Sequence, residues 1–188
     1  NDDRNKHEHV IFKLDNDMEL RYMDVRKFGK MHLIDKELVY DVSPLSLLGL
    51  EPWDKNLNSN YLMDKYKNKR LPIKSVILDQ GIIVGIGNIY ADEVLYLSGI
   101  NPLKRAMDLT EEECNSIIKN TREILEKSIN DGGTTIRSYG SVNGVHGNNQ
   151  NNLLVHTKDG SKCLRCGNII KKIKVGGRGT YYCDNCQK

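Results

Sequence analysis

Four of the five cysteines occur at a spacing that is typical of a metal site. Cys163 and Cys166 form one Cys-x-x-Cys pair, and Cys183 and Cys186 form a second pair after a gap of 16 residues. Each pair places two thiolates on one tight turn, and two such turns complete the tetrahedron that Zn²⁺ prefers. Two disulfides are the alternative, but nothing in the sequence suggests secretion. We therefore predict one structural zinc ion as the cofactor.

The residues between the two cysteine pairs predict a β-hairpin around Gly176-Gly177, which makes the module a zinc ribbon. Residues 157–188 carry 8 Lys/Arg against 2 Asp, a net charge of +6, whereas the other 156 residues carry 20 Lys/Arg and 23 Asp/Glu, a net of −3. Such a concentration of positive charge favours a polyanionic partner. Arg178 lies between two glycines at this hairpin, where its guanidinium can bind a phosphate in bidentate fashion.

A glycine-spaced turn, Gly85-Ile86-Gly87-Asn88, stands between two predicted helices. Glycines let a ligand approach the backbone closely, and the next helix offers free N–H groups and a positive dipole end. Asn88 is predicted at the N-cap, where it caps the helix or donates its amide to a phosphate oxygen. Tight helix packing is the alternative. A nucleotide-cofactor loop is disfavoured because a helix, not a strand, precedes the turn.

Hydrophobic periodicity predicts the elements that position these residues. Residues 8–40 predict a short β-rich region, and helices are predicted at 73–78, at 89–97 and from a capping box at Thr110 and Glu113 to Gly132-Gly133. Cys114 falls on the apolar face of the last helix and is predicted to be inert core. The Gly/Asn/Ser-rich residues 138–152 predict a long loop of the kind that is functional or disordered.

The composition describes a soluble globular chain, with 38% hydrophobic and 28% charged residues among 188 and a mean hydropathy of −0.55. No apolar run approaches the ~18–20 residues of a membrane span, and the N-terminus has no signal-peptide pattern. The sequence therefore gives no sign of a membrane span or of secretion, and we predict a cytoplasmic protein. Residue 1 is Asn and residues 1–6 are polar like a linker, so we expect the sequence to be a piece of a longer protein.

Several motifs, in the same order along the chain, resemble those of bacterial formamidopyrimidine-DNA glycosylases. They are Lys6-His7-Glu8-His9-Val10, Asp24-Val25-Arg26-Lys27-Phe28-Gly29, the turn and helix start Gly85–Glu93, Gly132-Gly133-Thr134-Thr135, and Gly177-Arg178-Gly179-Thr180 of the ribbon. The resemblance implies an α+β multidomain fold: the remnant of an N-terminal β-sandwich at 1–42, a helix-two-turn-helix DNA-binding domain at 43–156 with a lesion-capping loop at 138–152, and the zinc ribbon at 157–188.

The resemblance also implies an activity in DNA base-excision repair. Members of the family extrude oxidised purines such as 8-oxoguanine and formamidopyrimidines from the duplex, release the base through a Schiff-base intermediate, and cut the abasic strand by β,δ-elimination. The expected partner is double-stranded DNA with an oxidised purine or an abasic site, bound by a monomer at the bacterial nucleoid. The family nucleophile is an N-terminal proline, assisted by a glutamate and a lysine that have no match here. We therefore expect the catalytic domain to be missing and the 188 residues to be inactive alone.

Two residues match the family positions that enter the duplex. Arg26 matches the arginine that hydrogen-bonds the orphaned cytosine, and Phe28 matches the aromatic wedge that helps to kink the duplex. Ordinary core packing is the alternative for Phe28. Val25 and Lys27 depart from the residues that the family often has there, proline and arginine. Tyr139 stands at the start of the predicted capping loop, and no contact is assigned to it.

The remaining assignments concern the DNA backbone. His7, Lys69 and Asn88 match backbone-contacting positions, and Lys74 is a further candidate. For Lys69 the alternative is a solvated charge run, and for His7 it is a surface histidine. By the resemblance, Arg178 contacts a phosphate at the lesion and takes part in the second elimination step, which makes it the catalytic candidate of this sequence.

Two other functions stay open at the level of sequence. An endonuclease VIII-like glycosylase for oxidised pyrimidines shares the helix-two-turn-helix and the ribbon, although the Arg26/Phe28 pair and the glycine-rich loop favour the purine-specific branch. A non-catalytic zinc-ribbon nucleic-acid binder accounts for the ribbon and its charge, but it leaves Arg26, Phe28 and the glycine turn unexplained. Binding without a preference for abasic sites would favour this last class.

Overall fold

The structure is a computed structural model that describes residues 4–134 and 147–188. Tyr139 and residues 138–146 of the predicted loop lie outside the described residues. The chain forms two compact units, Asn1–Val42 and Ser43–Lys188. The helical region and the ribbon share the second unit, so the predicted boundary between residues 156 and 157 stays a prediction.

The first unit is built on one antiparallel hairpin. Strand β1 (Glu8–Lys13) pairs with strand β2 (Glu19–Met23), with Val10 opposite Tyr22 and Lys13 opposite Glu19. A polar turn joins the strands, and it closes with the Leu14 amide donating to the Met18 carbonyl at 2.9 Å. The predicted alternation of apolar and polar residues therefore corresponds to a real hairpin.

The second unit begins with a helical core. Its helices are α1 (Ser59–Tyr66), α2 (Ile73–Val76), α3 (Asn88–Leu97) and α4 (Glu111–Asn130). The apolar faces of these helices pack into one cluster of buried residues. The capping box predicted at Thr110 and Glu113 is present, because each side chain accepts the backbone N–H of the other residue. Cys114 is buried in this core, as predicted.

The ribbon follows as a second hairpin. Strand β3 (Lys171–Val175) pairs antiparallel with strand β4 (Arg178–Tyr182) around the predicted turn at Gly176-Gly177. Its own small core contains Val155, Ile170 and Tyr181, together with Tyr96 from helix α3. The ribbon therefore packs on α3, the helix that follows the glycine turn.

A buried carboxylate fixes the chain where it enters the ribbon. Glu93 on α3 accepts the backbone amides of Leu154, Val155 and His156 at 2.8, 2.9 and 2.8 Å. A carboxylate that receives several amide hydrogen bonds is well compensated for its burial. No helix in the described part of the chain is long and apolar enough to cross a membrane.

Candidate nucleic-acid interface and zinc centre

Helix α3 begins one residue earlier than an Asn88 N-cap requires. Gly87 is the N-cap, with an extended backbone (φ −95°, ψ −179°) and no side-chain cap, and Asn88 is the first helical residue. The Asn88 side chain instead donates from Nδ2 to the carbonyl oxygen of Gly179 at 3.1 Å. The N-cap prediction is therefore wrong, because Asn88 lies inside the helix and its side-chain amide is bonded to the ribbon backbone. The backbone N–H groups at this helix start have no side-chain cap, and the positive end of the helix dipole lies there.

Lys74 does not reach the surface as a DNA-contacting lysine would. Its side chain is 0% exposed, and Nζ lies 2.6 Å from Asp92 Oδ1 and 2.8 Å from the Asn88 carbonyl oxygen. Burial lowers the pKa of Lys74, and the Asp92 carboxylate opposes that shift. A buried ammonium needs such an anion. In place of the predicted phosphate contact, the Lys74 ammonium donates to the backbone carbonyl of Asn88 from the protein interior.

Asp92 joins this lysine to the ribbon. Its second oxygen, Oδ2, lies 2.7 Å from His156 Nδ1, and the His156 ring packs edge-on against Tyr181 at 4.8 Å between centroids. Lys74, Asp92 and His156 therefore form one buried polar chain from α2 through α3 to the start of the ribbon. These three side chains fix the position of the glycine turn relative to the ribbon.

Arg178 is the first residue of β4 and is exposed, next to the Gly179 carbonyl that receives Asn88. A depression of about 200 Å³ lies beside it, lined by Ser75, Leu78, Asp79, Val175, Gly176 and Arg178. Gly176 has φ +56°, and a Cβ there would lie 2.5 Å from Ser75 Oγ, so the turn seats the ribbon tip closely on α2. Arg178 and the N-terminus of α3 thus share one surface.

Lys69 precedes α2 in the chain and is partly exposed. Its Nζ lies 3.6 Å from Asp79 Oδ2, a loose pair in which both side chains are nearly half exposed. Surface pairs of this kind contribute little free energy, so the ammonium can exchange the carboxylate for a phosphate. Together with the net charge of the ribbon, Lys69 and Arg178 make this face basic.

In the first unit, a single carboxylate organises the turn that carries Arg26 and Phe28. Asp24 accepts the backbone amides of Arg26, Lys27 and Gly29 at 2.9, 2.9 and 2.7 Å. The amide of Gly29, which gives the shortest of these bonds, is the largest cause that lowers the pKa of Asp24. A Cβ on Gly29 would lie 1.5 Å from the Tyr22 hydroxyl, so only glycine fits there.

This turn presents both predicted duplex-entering side chains to solvent. Phe28 is 73% exposed, which excludes ordinary core packing in this structure, and the Arg26 guanidinium carbon lies 4.7 Å from its ring centroid. His7 is partly buried beside the same turn, and its carbonyl accepts the Asp24 amide at 2.9 Å. His7, Arg26 and Phe28 are therefore grouped within the first unit.

The four predicted zinc ligands converge. All four sulfur atoms lie within 4.8 Å of one another. Cys163 Sγ is 3.8 Å from Cys186 Sγ, and Cys166 Sγ is 3.5 Å from Cys183 Sγ. A tetrahedron with Zn–S bonds of about 2.3 Å has edges of about 3.8 Å, whereas a disulfide requires about 2.05 Å. The donor set therefore fits a Cys₄ zinc ion and not two disulfides.

The thiols have unequal affinities for protons. Burial opposes ionisation of Cys163, but hydrogen bonds from the Tyr96 hydroxyl and from the Cys166 and Arg165 amides lower its pKa to about 6. Burial first, and then the neighbouring thiols, raise the pKa of Cys186 to about 12. A divalent cation held by the four sulfur atoms would compensate the repulsion between their thiolates and would favour the deprotonated form of each ligand.

Several residues that organise the site escape sequence reasoning. Asp24 stands before a turn, and the tendency of Asp to bond the amides that follow it is a usable signal. Asp92, His156 and Tyr96 show no local signal, because their partners lie 18 to 67 residues away. Only the tertiary fold reveals them.

A helix start and a basic hairpin on one compact unit, supported by a four-cysteine centre, define a zinc-ribbon DNA-binding protein of the helix-two-turn-helix class. Residues 48–139 match the family model described as "Formamidopyrimidine-DNA glycosylase H2TH domain", and residues 160–188 match "Zinc finger found in FPG and IleRS". The chain is 44% identical to a formamidopyrimidine-DNA glycosylase of Exiguobacterium sibiricum, over 99% of this chain and 67% of the relative. It is 46% identical to one of Bacillus cereus, over 97% and 66%.

Solved structures agree with these relatives. A complex of Lactococcus lactis Fpg with abasic-site DNA superposes with a TM-score of 0.88 and 41% identity, over 98% of this chain and 68% of that one. A complex of MutM with DNA that contains carbocyclic 8-oxo-G gives 0.88 and 40%, over 98% and 67%. The chain belongs to the formamidopyrimidine-DNA glycosylase family and spans about two thirds of the length of these relatives. The predicted helix-two-turn-helix and structural zinc are confirmed.

Proposed function

We propose that this chain recognises damaged DNA for a bifunctional DNA glycosylase/AP lyase of base-excision repair that acts on oxidised purines. The observation that carries the proposal is the junction between the N-terminus of α3 and the ribbon hairpin. There the Asn88 side chain is bonded to the Gly179 carbonyl, and the neighbouring Arg178 is exposed. A helix start and a guanidinium on one surface bind phosphate through amides, dipole and bidentate hydrogen bonds.

The exposed pair in the first unit supports the lesion-specific part of the proposal. A large apolar ring that is exposed on a rigid turn, with a guanidinium stacked on it, suits insertion between base pairs. An extruded base leaves a gap in the stack and an unpaired partner base. Phe28 fills the gap and Arg26 hydrogen-bonds the orphaned base in this proposal. The Asp24 bonds described above keep the turn ordered before DNA arrives.

The other assignments divide into direct and indirect contacts. Lys69 and His7 are proposed to contact the DNA backbone directly. Lys74 acts indirectly, because its ammonium holds the Asn88 carbonyl at the start of α3. Arg178 is proposed to take part in δ-elimination as well as in phosphate binding. Residues 138–152 are proposed to close over the extruded base.

Charge and relationship favour the same partner. The relatives are bacterial proteins named for the formamidopyrimidine lesion, and the solved neighbours hold abasic or 8-oxo-G DNA. A preference for oxidised purines over the pyrimidines of endonuclease VIII-like enzymes follows from this similarity. We place the protein in the bacterial cytoplasm, acting as a monomer on nucleoid DNA.

Salt dependence of binding tests the phosphate contact of Arg178. Each phosphate that is neutralised contributes about −0.9 to the slope of log K against log salt. Arg178→Ala is expected to reduce the slope on an abasic-site duplex by about one such unit. Lys119→Ala is the matched control, because it removes one exposed positive charge from α4, outside the junction. Equal slopes for Arg178→Ala and the wild type would remove Arg178 from the interface.

Borohydride trapping on a duplex with 8-oxoguanine opposite cytosine tests the division of labour. The proposal assigns recognition to these 188 residues and the attacking amine to a proline that they do not supply, so no covalent adduct is expected from this chain. An adduct would mean that an amine within the sequence is the nucleophile. No adduct and no abasic preference would instead favour a plain zinc-ribbon binder.

A further inference from the structure

Tyr96 belongs to helix α3 by sequence but to the ribbon by packing. Its side chain is 1% exposed and lies in the same apolar cluster as Cys163, Ile170 and Cys183. The Tyr96 hydroxyl oxygen is 3.2 Å from Cys163 Sγ, and no other hydrogen-bond partner of this hydroxyl is found among the described residues. A buried hydroxyl needs an acceptor, and a zinc-bound thiolate is a better acceptor than a neutral thiol.

Arg165 fastens the same helix end from the first cysteine pair. It stands between Cys163 and Cys166, and its guanidinium carbon lies 4.6 Å from the centroid of the Tyr96 ring. Nη1 donates to the Tyr96 carbonyl at 2.9 Å, and Nη2 donates to the Leu97 carbonyl at 3.1 Å. These are carbonyls of the last turn of α3, where a cation also complements the helix dipole.

Gln187 makes the equivalent connection from the second cysteine pair. Its side chain is buried, Oε1 accepts the Cys183 amide at 2.9 Å, and Nε2 donates to the Ile100 carbonyl at 2.9 Å. Ile100 lies just beyond the end of α3. Both halves of the metal centre are therefore bonded to the same helix end.

We propose that Tyr96 is an outer-sphere residue of the zinc centre that couples metal occupancy to the C-terminal end of α3. The hydroxyl donates to the Cys163 thiolate, which orients the sulfur and spreads its negative charge. Loss of the metal releases the two cysteine pairs from each other, so the contacts of Tyr96, Arg165 and Gln187 no longer anchor the end of α3 to a fixed centre. The coupling concerns the metal centre and does not depend on the DNA contacts proposed above.

Tyr96→Phe isolates the hydroxyl, because the ring and the stacked Arg165 remain. Outer-sphere partners typically change metal affinity by about 10–100-fold. We expect the zinc affinity of Tyr96→Phe, measured by competition with a chelator of known affinity, to be about 10- to 100-fold lower than that of the wild type. Tyr182→Phe is the matched control: it removes a hydroxyl from the ribbon next to a zinc ligand, at a position with no described contact to sulfur. Far-UV circular dichroism and thermal unfolding of the zinc-loaded proteins verify that both variants keep the fold.

Cobalt substitution gives a readout that a merely structural role would not move. A thiolate without its hydrogen bond is a stronger electron donor, so the sulfur-to-Co²⁺ charge-transfer band of Tyr96→Phe is expected at longer wavelength than in the wild type. The Tyr182→Phe band is expected to be unchanged. A Tyr96→Phe protein with zinc affinity within about twofold of wild type, or with an unshifted band, would overturn the outer-sphere assignment.

Hydrogen exchange tests the coupling to α3. In the zinc-loaded protein, the amides of Ser98, Gly99 and Ile100, which close the end of α3, are expected to be protected, and chelation is expected to accelerate their exchange at least tenfold more than that of α1 amides. Arg165→Met is expected to reduce this zinc dependence. Equal acceleration in both helices, or none at either, would overturn the coupling.

Discussion

Lys74 and Asp92 form a fully buried ion pair in the second unit. Both side chains are 0% exposed, and the ammonium is 2.6 Å from the carboxylate. Asp92→Asn keeps the shape of the side chain and removes its charge. The variant therefore leaves Lys74 buried with only neutral acceptors, the new amide oxygen and the Asn88 carbonyl.

The size of the effect follows from what remains around the ammonium. Removing one partner of a buried pair costs roughly 3–5 kcal/mol, and the retained amide oxygen places this variant near the lower end, about 3 kcal/mol. For a unit of this size, each kcal/mol corresponds to roughly 2–4 °C in Tm. We expect Asp92→Asn to lower the Tm of the zinc-loaded protein by about 6–12 °C.

The change with pH in the stability difference between Asp92→Asn and the wild type has a direction that is specific to Lys74. Burial lowers the pKa of Lys74 in the wild type, and loss of the Asp92 charge lowers it further. Between this lowered pKa and the unfolded value of about 10.4, the unfolded chain binds more protons, so stability rises with pH. The deficit of Asp92→Asn is therefore expected to shrink as pH rises from 7 towards about 10.

Urea unfolding of the single and double variants provides the assay. Lys74→Met in the Asp92→Asn background removes the uncompensated charge and is expected to restore part of the lost stability. Uncoupled sites would add to within roughly 0.5 kcal/mol. Additive losses together with a deficit that does not change with pH would refute the account of this pair.

Three further predictions concern the metal and the first unit. Removal of zinc by a strong chelator is expected to abolish the near-UV signal of the ribbon tyrosines and to weaken DNA binding, because metal binding supplies folding free energy to such modules; an unchanged signal would contradict the structural role of zinc. Asp24→Asn is expected to accelerate hydrogen exchange of the Gly29 amide. In the wild type, the stability that the Asp24 carboxylate gives to the turn is complete only above the pKa of Asp24 in the unfolded chain, ~3.9. This stability is lost as pH falls through the lowered pKa of the folded state, and exchange of the Gly29 amide should then accelerate. Phe28→Ala is expected to leave stability within roughly 0.5 kcal/mol while weakening abasic-duplex binding about tenfold, as read by thermal unfolding and fluorescence anisotropy.

Much of this fold could be predicted because its signals are local. The alternation around Val10 and Phe12, the capping box at Thr110 and each of the two cysteine pairs span only a few residues. The corresponding hairpin, helix and cluster of four cysteines are present. The buried position of Cys114 follows from the same periodicity.

The errors arose where a distant group changed the local preference. Asn88 suits an N-cap, but the Gly179 carbonyl, 91 residues away, takes its amide. Lys74 looked like a surface cation because its anion lies 18 residues further along, on another helix. Pattern and propensity do not report such tertiary hydrogen bonds, whose strength depends on burial.

The central claim is that this chain recognises damaged duplex DNA. The most direct test is the affinity of the zinc-loaded protein for a duplex with one abasic site, compared with the same duplex undamaged, at one salt concentration. The account predicts at least tenfold tighter binding to the abasic duplex, with Arg26→Ala and Phe28→Ala each reducing the preference. Equal affinity for the two duplexes would contradict it.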